Sequence, residues 1–226
     1  TQGGGAVRIR ERLGLDEHRQ RQVTRLMELA LVGMFFVGLE RGNTGILVNT
    51  AVALGVTQLV PVLRRDFGIP MDPALTLWIT AAVFLHALGT VGIPGTGLES
   101  FYRQVWWWDH MTHALSASVV AAAGYATARA VDLHSEEVSL PPRFMFVFIL
   151  LLTVAFGVLW EVIEFGVAEA AGMLGGAPVL TQYGLGDTLL DLVFDTIGAV
   201  LVATWGTAYL SDVVGAIASR LEARTG

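Results

Sequence analysis

Residues 144–168 read FMFVFILLLTVAFGVLWEVIEFGVA, an apolar run whose ionisable residues are Glu161 and Glu164. About 20 such residues cross a bilayer as an α-helix. A charged side chain at the centre of a membrane helix costs about 2.5–3.5 kcal/mol even on lenient insertion scales, so an ionisable residue there is a functional candidate. The stretch therefore predicts a transmembrane helix that carries part of a site.

The rest of the chain follows the same pattern. Hydrophobic residues make up 54% of the 226 positions and charged residues 15%, which is typical of a chain in lipid. We predict an all-α membrane protein with six transmembrane helices, at 26–39, 46–63, 73–93, 111–131, 144–168 and 188–210. The six-helix domain covers 26–212, between an N-terminal tail at 1–25 and a C-terminal tail at 213–226. The N-terminal tail lacks the apolar segment of a signal peptide.

The arginines predict the orientation. All 14 basic residues are Arg, and a cytoplasmic N-terminus with six spans leaves only Arg41 and Arg103 outside. Because positive residues collect on the cytoplasmic side, both termini are expected there, in a multi-pass protein of the cytoplasmic membrane.

Eight ionisable residues lie inside or at the mouths of the apolar segments in the second half of the chain: Asp109, His110, His113, Glu161, Glu164, Asp187, Asp191 and Asp195. Within each segment, spacings of three or four residues place them along one helical face. In the predicted topology the three stripes meet near the outer surface, and His86 on the third span reaches a similar depth, although a packing role is commoner for a lone histidine. We expect a pocket open to the outside.

A cation would explain so many carboxylates in one place, because like charges repel strongly in a low dielectric unless some are protonated. No cysteine is present, so the metal ligands would be oxygen and imidazole. Imidazoles among carboxylates suit Zn²⁺, Mn²⁺ or Fe²⁺, and an all-oxygen subset suits Mg²⁺ or Ca²⁺. The predicted ligands of this divalent cation are Asp109, His110, His113, Asp187, Asp191 and Asp195. Glu161 or Glu164 would act as general base in metal-assisted hydrolysis of a lipid or a lipid-soluble ester or amide.

The order and spacing of these motifs resemble the YjdF family of polytopic inner-membrane proteins. The resemblance covers roughly residues 105–205 and rests on Trp108-Asp109-His110-Met111-Thr112-His113, on Trp160-Glu161-Val162-Ile163-Glu164-Phe165, and on Gly186-Asp187 with Asp191, Asp195, Gly198 and Ala199. Phe165 stands where the family tends to have Trp, and His110 is an addition. The resemblance implies the architecture rather than an activity.

Other functions remain open. Asp109 and Asp187 stand where helix N-caps belong, and Glu161, Glu164 and His113 could tie helices together, as in a scaffold or partner-binding subunit. Chains of carboxylates and histidines also form the paths of proton or metal-cation transporters. An Asp-x-x-x-Asp stripe occurs in membrane prenyl and phospholipid transferases, but the outer face here lacks the basic residues that a diphosphate needs. The lipid bilayer is the expected partner, and no nucleic acid is expected.

Two further patterns predict how the helices sit. Trp106, Trp107 and Trp108 are typical of an interfacial aromatic belt, with Arg103 nearby as a partner for a cluster carboxylate. Small residues recur along the fourth span, at Ala114, Ser118, Ala122 and Ala126. Because small residues allow close helix approach in lipid, this helix should be central in the bundle.

A single cysteine tests the orientation, since the background has none. An impermeant thiol reagent should label Gln182→Cys on intact cells, whereas a cysteine in the loop at Arg143 should react only after the membrane is broken. The reverse order of labelling would contradict the predicted orientation.

Overall fold

The structure, a computed structural model, describes residues 16–93, 95–135, 137–176, 178–180 and 183–225. The described residues form eight helices: α1 (Glu17–Glu40), α2 (Thr44–Phe67), α3 (Pro73–Gly89), α4 (Phe101–Gln104), α5 (Trp108–His134), α6 (Pro142–Met173), α7 (Leu185–Tyr209) and α8 (Ser211–Thr225). The β-structure found among them is one isolated bridge between Ile93 and Leu98. The first part of the N-terminal tail, with Arg8, Arg10 and Arg12, lies outside the described residues, as do Pro94 and Gln182.

The all-α architecture is confirmed for the described residues, which include five helices long and apolar enough to cross a membrane: α1, α2, α5, α6 and α7. The helix α3 is apolar but has only 17 residues. It ends at Gly89 rather than at Ile93, and Tyr102 packs directly on this end: a Cβ on Gly89 would lie 2.3 Å from Cε2 of Tyr102. Six spans therefore remain a prediction, while α1, whose apolar run is the shortest in the sequence, is a full helix of 24 residues.

Local sequence signals set the helix starts. The carboxylate of Asp16 accepts the N–H of Arg19, and the amide oxygen of Asn43 accepts the N–H of Ile46. Asp72 caps α3 by accepting two backbone N–H groups, with Pro73 at the first helical position. These short polar side chains stabilise the ends of apolar helices, whose first N–H groups have no partner within the helix.

The helix α5 is central, as its small residues predict. It packs against α3, α4, α6, α7 and α8, and the helices α1, α2 and α3 form a second group around Leu31 and Ala53. The closest approach is to α7, where a Cβ on Gly198 would lie 2.3 Å from the backbone oxygen of Ala114. Glycine at this position therefore fixes the distance between the two helices.

The predicted C-terminal tail is largely helical. The helix α8 covers residues 211–225 and buries Val214 and Ala218 in the cluster that surrounds α5. Arg220 donates to the backbone oxygen of Asp66 at 2.9 Å and lies over the ring of Phe67. These contacts tie the end of the chain to the end of α2.

We expect Gly198→Ala to destabilise the protein by about 1–3 kcal/mol, because the new methyl group must push α5 and α7 apart. The matched control is Gly166→Ala on α6, where a Cβ meets nothing within 4 Å. The control should hold or raise the melting temperature, since Ala favours a helix over Gly by about 1 kcal/mol. Thermal unfolding in detergent measures both variants, and equal melting temperatures would contradict the tight α5–α7 contact.

Candidate metal centre

The predicted ionisable stripes meet at one end of the bundle. Asp109, His110 and His113 come from α5, the two glutamates from α6, and Asp187, Asp191 and Asp195 from α7. His110, His113, Glu161, Asp191 and Asp195 are buried. The convergence of the three helical faces is therefore as predicted.

His110 and Asp191 form a short contact between α5 and α7. Nδ1 of His110 lies 2.8 Å from Oδ1 of Asp191, and both side chains are buried. The imidazole also stacks on Phe194, with ring centroids 5.0 Å apart. This pair joins the first turn of α5 to the second turn of α7.

His113 has a carboxylate on each side of its ring. Nδ1 lies 3.3 Å from Oδ1 of Asp195, while Nε2 lies 3.8 Å from Oδ1 of Asp109 and 3.9 Å from Oε1 of Glu161. A histidine that binds a metal through one ring nitrogen usually has its other nitrogen hydrogen-bonded to a carboxylate or carbonyl, which fixes the tautomer and the orientation. The surroundings of His113 match that pattern.

Asp195 reaches His113 because α6 has a glycine opposite it. A Cβ on Gly157 would lie 2.2 Å from Oδ2 of Asp195. Any larger residue at 157 would displace this carboxylate. The glycine therefore makes room for the group that orients His113.

Three further contacts hold Glu161, Glu164 and Asp187. Thr188 donates its hydroxyl to Oε2 of Glu161 at 2.8 Å, and Trp160 donates its indole N–H to Oε1 of Glu164 at 3.1 Å. Oδ2 of Asp187 accepts the backbone N–H of Tyr183 at 3.2 Å. Sequence reasoning missed Thr188 and Trp160, although the four-residue spacing of Trp160 and Glu164 was a usable signal.

The ligand atoms form three overlapping groups, each with its atoms within 4.8 Å of one another. Asp109, His113 and Asp191 form the first, His110, Asp187 and Asp191 the second, and His113, Glu161 and Glu164 the third. Mixed carboxylate and imidazole ligands suit Zn²⁺ or Mn²⁺. Among the described residues, Asp195 belongs to none of the groups, since it lies on the Nδ1 side of His113.

The interpretation of Asp109 and Asp187 as N-caps is wrong. The N-cap residues are Trp107 for α5 and Gly184 for α7, and neither provides a side-chain cap. Both helices begin earlier than the sequence suggested, so the two aspartates lie in the first turn. A carboxylate there is still favoured by the helix dipole, but capping does not account for it.

The aromatic belt and the role of Arg103 also need correction. Trp106 is 79% exposed, whereas Trp108 is buried, donates its indole N–H to the backbone oxygen of Leu85 and stacks on Phe101. Trp108 is thus a packing residue, because the carbonyl groups at the end of α3 need donors. Arg103 pairs with Glu99 at 3.0 Å on the surface rather than with a cluster carboxylate.

His86 lies beside the cluster in an aromatic setting. Its Nδ1 lies 2.8 Å from the hydroxyl oxygen of Tyr102, which also donates to the backbone oxygen of His86 at 3.1 Å. Trp160 meets the imidazole edge-on at 5.8 Å. Burial raises the pKa of the Tyr102 hydroxyl well above its usual range, so this group stays a donor.

Comparison with known proteins identifies the family. Residues 23–212 match the predicted membrane protein family DUF2238. The chain belongs to this family. It is also similar to an uncharacterised protein of Thermotoga maritima, with 32% identity over 127 residues, which cover 56% of this chain and 58% of that protein. No solved structure matches the chain. With its apolar helices, the family places this chain among multi-pass membrane proteins.

We expect Thr188→Val to lower the free energy of unfolding by about 1–3 kcal/mol, because Glu161 loses a hydrogen-bond donor while the side-chain shape is kept. The control is Thr196→Val, whose hydroxyl donates within α7 to the backbone oxygen of Leu192. The control should lose much less, as measured by denaturant unfolding in detergent. Equal losses would argue against the α6–α7 hydrogen bond.

Proposed function

We propose that the cluster binds a divalent cation through Asp109, His113 and Asp191. The observation that carries the proposal is the setting of His113, whose Nδ1 faces Asp195 while Nε2 faces Asp109 and Glu161. When such a histidine donates its Nδ1–H to a carboxylate, the lone pair of Nε2 is left for a cation held between it and the other carboxylates. In this assignment Asp195 orients His113. His110 and Asp187 either hold Asp191 in place or complete the coordination of the cation.

The charges at this end of the bundle support a cation. Six carboxylates lie close together, and the two arginines at the same end are engaged elsewhere: Arg103 with Glu99 and Arg41 with the backbone oxygen of Gly92. Uncompensated carboxylates repel one another strongly when they are removed from water. A divalent cation offsets this repulsion, and Zn²⁺, Mn²⁺, Mg²⁺ and Ca²⁺ are the candidates.

The proposed activity is hydrolysis of an ester or amide in a lipid-soluble substrate. A bound cation lowers the pKa of a water ligand and polarises the carbonyl group. Glu161 or Glu164 takes the proton as the water oxygen bonds to the carbonyl carbon, and returns it to the leaving alcohol or amine as the old bond breaks. Thr188 and Trp160 hold the two glutamates in position for this transfer.

A transporter for protons or metal cations is the weaker alternative. Below Asp195 the contact between α5, α6 and α7 continues with apolar residues, among them Ala121, Ile149, Ala199 and Val202. Asn49, the amide nearest the site on α2, donates to backbone oxygens at the same end of the bundle. A cation path needs polar groups through the whole membrane, and these contacts favour a pocket that is open at one end.

The membrane topology is part of the proposal. Both termini are cytoplasmic, α3 is the third of six membrane crossings, and the cluster lies at the outer face of the cytoplasmic membrane. The distribution of arginines supports this orientation. The resemblance to the YjdF family remains a prediction.

Cation-dependent stability tests the site. Excess divalent cation should stabilise the parent protein by about 2.7 kcal/mol at a hundredfold excess over its dissociation constant, because the cation binds only the folded state. Asp191→Asn should lose this response, since the amide keeps the shape but not the charge. The control Asp212→Asn changes an exposed aspartate on α8 and should respond like the parent. Equal responses in all three proteins, or none in the parent, would leave a purely structural cluster.

A second variant tests whether Asp195 binds the cation directly or only orients His113. Asp195→Asn should weaken cation binding by about 10–100-fold without abolishing it, as outer partners of metal-bound histidines typically do. Titration of the melting temperature with cation measures the change. Complete loss of binding would instead make Asp195 a direct ligand.

A further inference from the structure

A cavity of about 650 Å³ adjoins the cluster. Its walls come from α2, α3, α5 and α6, with Asp195 of α7 and with Val179 and Leu180 of the loop before α7. Most of its lining is apolar, with Val52, Val83, Val120 and Phe156 among the residues. His86, His113 and Asp195 also line it, so the cavity reaches the His113–Asp195 pair. Its volume lies in the usual range of small-molecule sites, about 300–1,000 Å³.

The cavity opens sideways. Within the described part of the chain, α2 and α6 do not pack against each other, although both line the cavity. Val48 and Val52 on α2 and Phe156 on α6 are exposed at this gap, and Val52 is 60% exposed. The gap lies between the apolar faces of two candidate membrane spans, where the surroundings are lipid chains rather than water.

We propose that this cavity binds the acyl chain of a neutral, hydroxyl-bearing lipid, which enters from the bilayer between α2 and α6 and places its head group at His86 and His113. The proposal deepens the proposed function by naming the class of substrate. It rests on that function only for the chemistry at the head group, since binding of the chain depends on the cavity.

The polar lining favours a neutral head group. Neither arginine nor lysine lines the cavity in the described residues, and Asp195 would repel a phosphate. Thr112 and Thr153 also line the cavity, but each is 1% exposed and donates its hydroxyl to a backbone oxygen of its own helix.

His86 also lies on the cavity wall. The Tyr102 hydroxyl oxygen lies 2.8 Å from its Nδ1 and 3.1 Å from its backbone oxygen. Nε2 is an acceptor in one neutral tautomer and a donor in the other, and a hydroxyl group can pair with either. A glycerol-type head group therefore suits the polar end of this cavity.

Photo-crosslinking tests the proposal. The probe is a monoacylglycerol with a diazirine in its acyl chain, added to the purified full chain in phosphatidylcholine nanodiscs. We expect the label on peptides from α2 and α6 around residues 48–52 and 156–160, displaced by excess monooleoylglycerol. Val52→Trp should reduce labelling severalfold by filling the gap. The control Leu59→Trp places the same side chain at an exposed site two turns along the same face of α2 and outside the cavity lining.

Cation-dependent stabilisation, measured on the same samples, keeps this proposal distinct from the proposed function. Val52→Trp should retain the cation response, which also shows that it folds, and Asp191→Asn should retain the labelling. Equal labelling of Val52→Trp and Leu59→Trp, or label spread over all the apolar helices, would overturn the cavity proposal. Displacement by lysophosphatidate as effective as by monooleoylglycerol would overturn the neutral head group.

Discussion

An ionisable side chain among membrane helices is tolerated where another group offsets the cost of removing it from water. Two His–Asp contacts between α5 and α7 do this. His110 pairs with Asp191, and one turn deeper His113 pairs with Asp195. The two helices come close enough for these contacts because Gly198 lies directly on the α5 backbone. The arrangement of the other helices around this pair follows, since α6 must supply Gly157 beside Asp195 and Glu161 beside His113.

The molecule has a charged side and an apolar side that share His113. On one side, carboxylates of three helices face the imidazole at distances suited to a common cation. On the other side, the gap between α2 and α6 leads from lipid to the same residue. A soluble hydrolase commonly receives its substrate from water, whereas here the reacting group would arrive along the plane of the membrane and meet the polar groups last.

Much of the helical fold and of the ionisable cluster was predictable from the sequence, and the physical reason is periodicity. The spacing of Asp109 and His113, or of Asp187 and Asp191, fixes a helical face whatever the tertiary structure, and small residues mark α5 as the central helix. The length of α3 and the burial of Trp108 were not predictable, because they depend on how the segment after α3 folds back on the bundle. The pairing of Arg103 with Glu99 was readable from their four-residue spacing but was overlooked. The position of Asp195 on the Nδ1 side of His113 depends on the rotation of α7, which spacing alone does not specify.

The short helix α3 has a consequence of its own. Its 17 residues span about 25 Å at 1.5 Å per residue, less than the roughly 30 Å hydrocarbon core of a typical bilayer. In the proposed six-span topology this is a hydrophobic mismatch. At the short end, Tyr102 and Trp108 donate to the backbone oxygens of His86 and Leu85, so these carbonyl groups have partners away from water. The same end of α3 carries His86. In that topology membrane thickness would act on one wall of the cavity, and the fatty-acid composition of the surrounding lipid would then affect the proposed site.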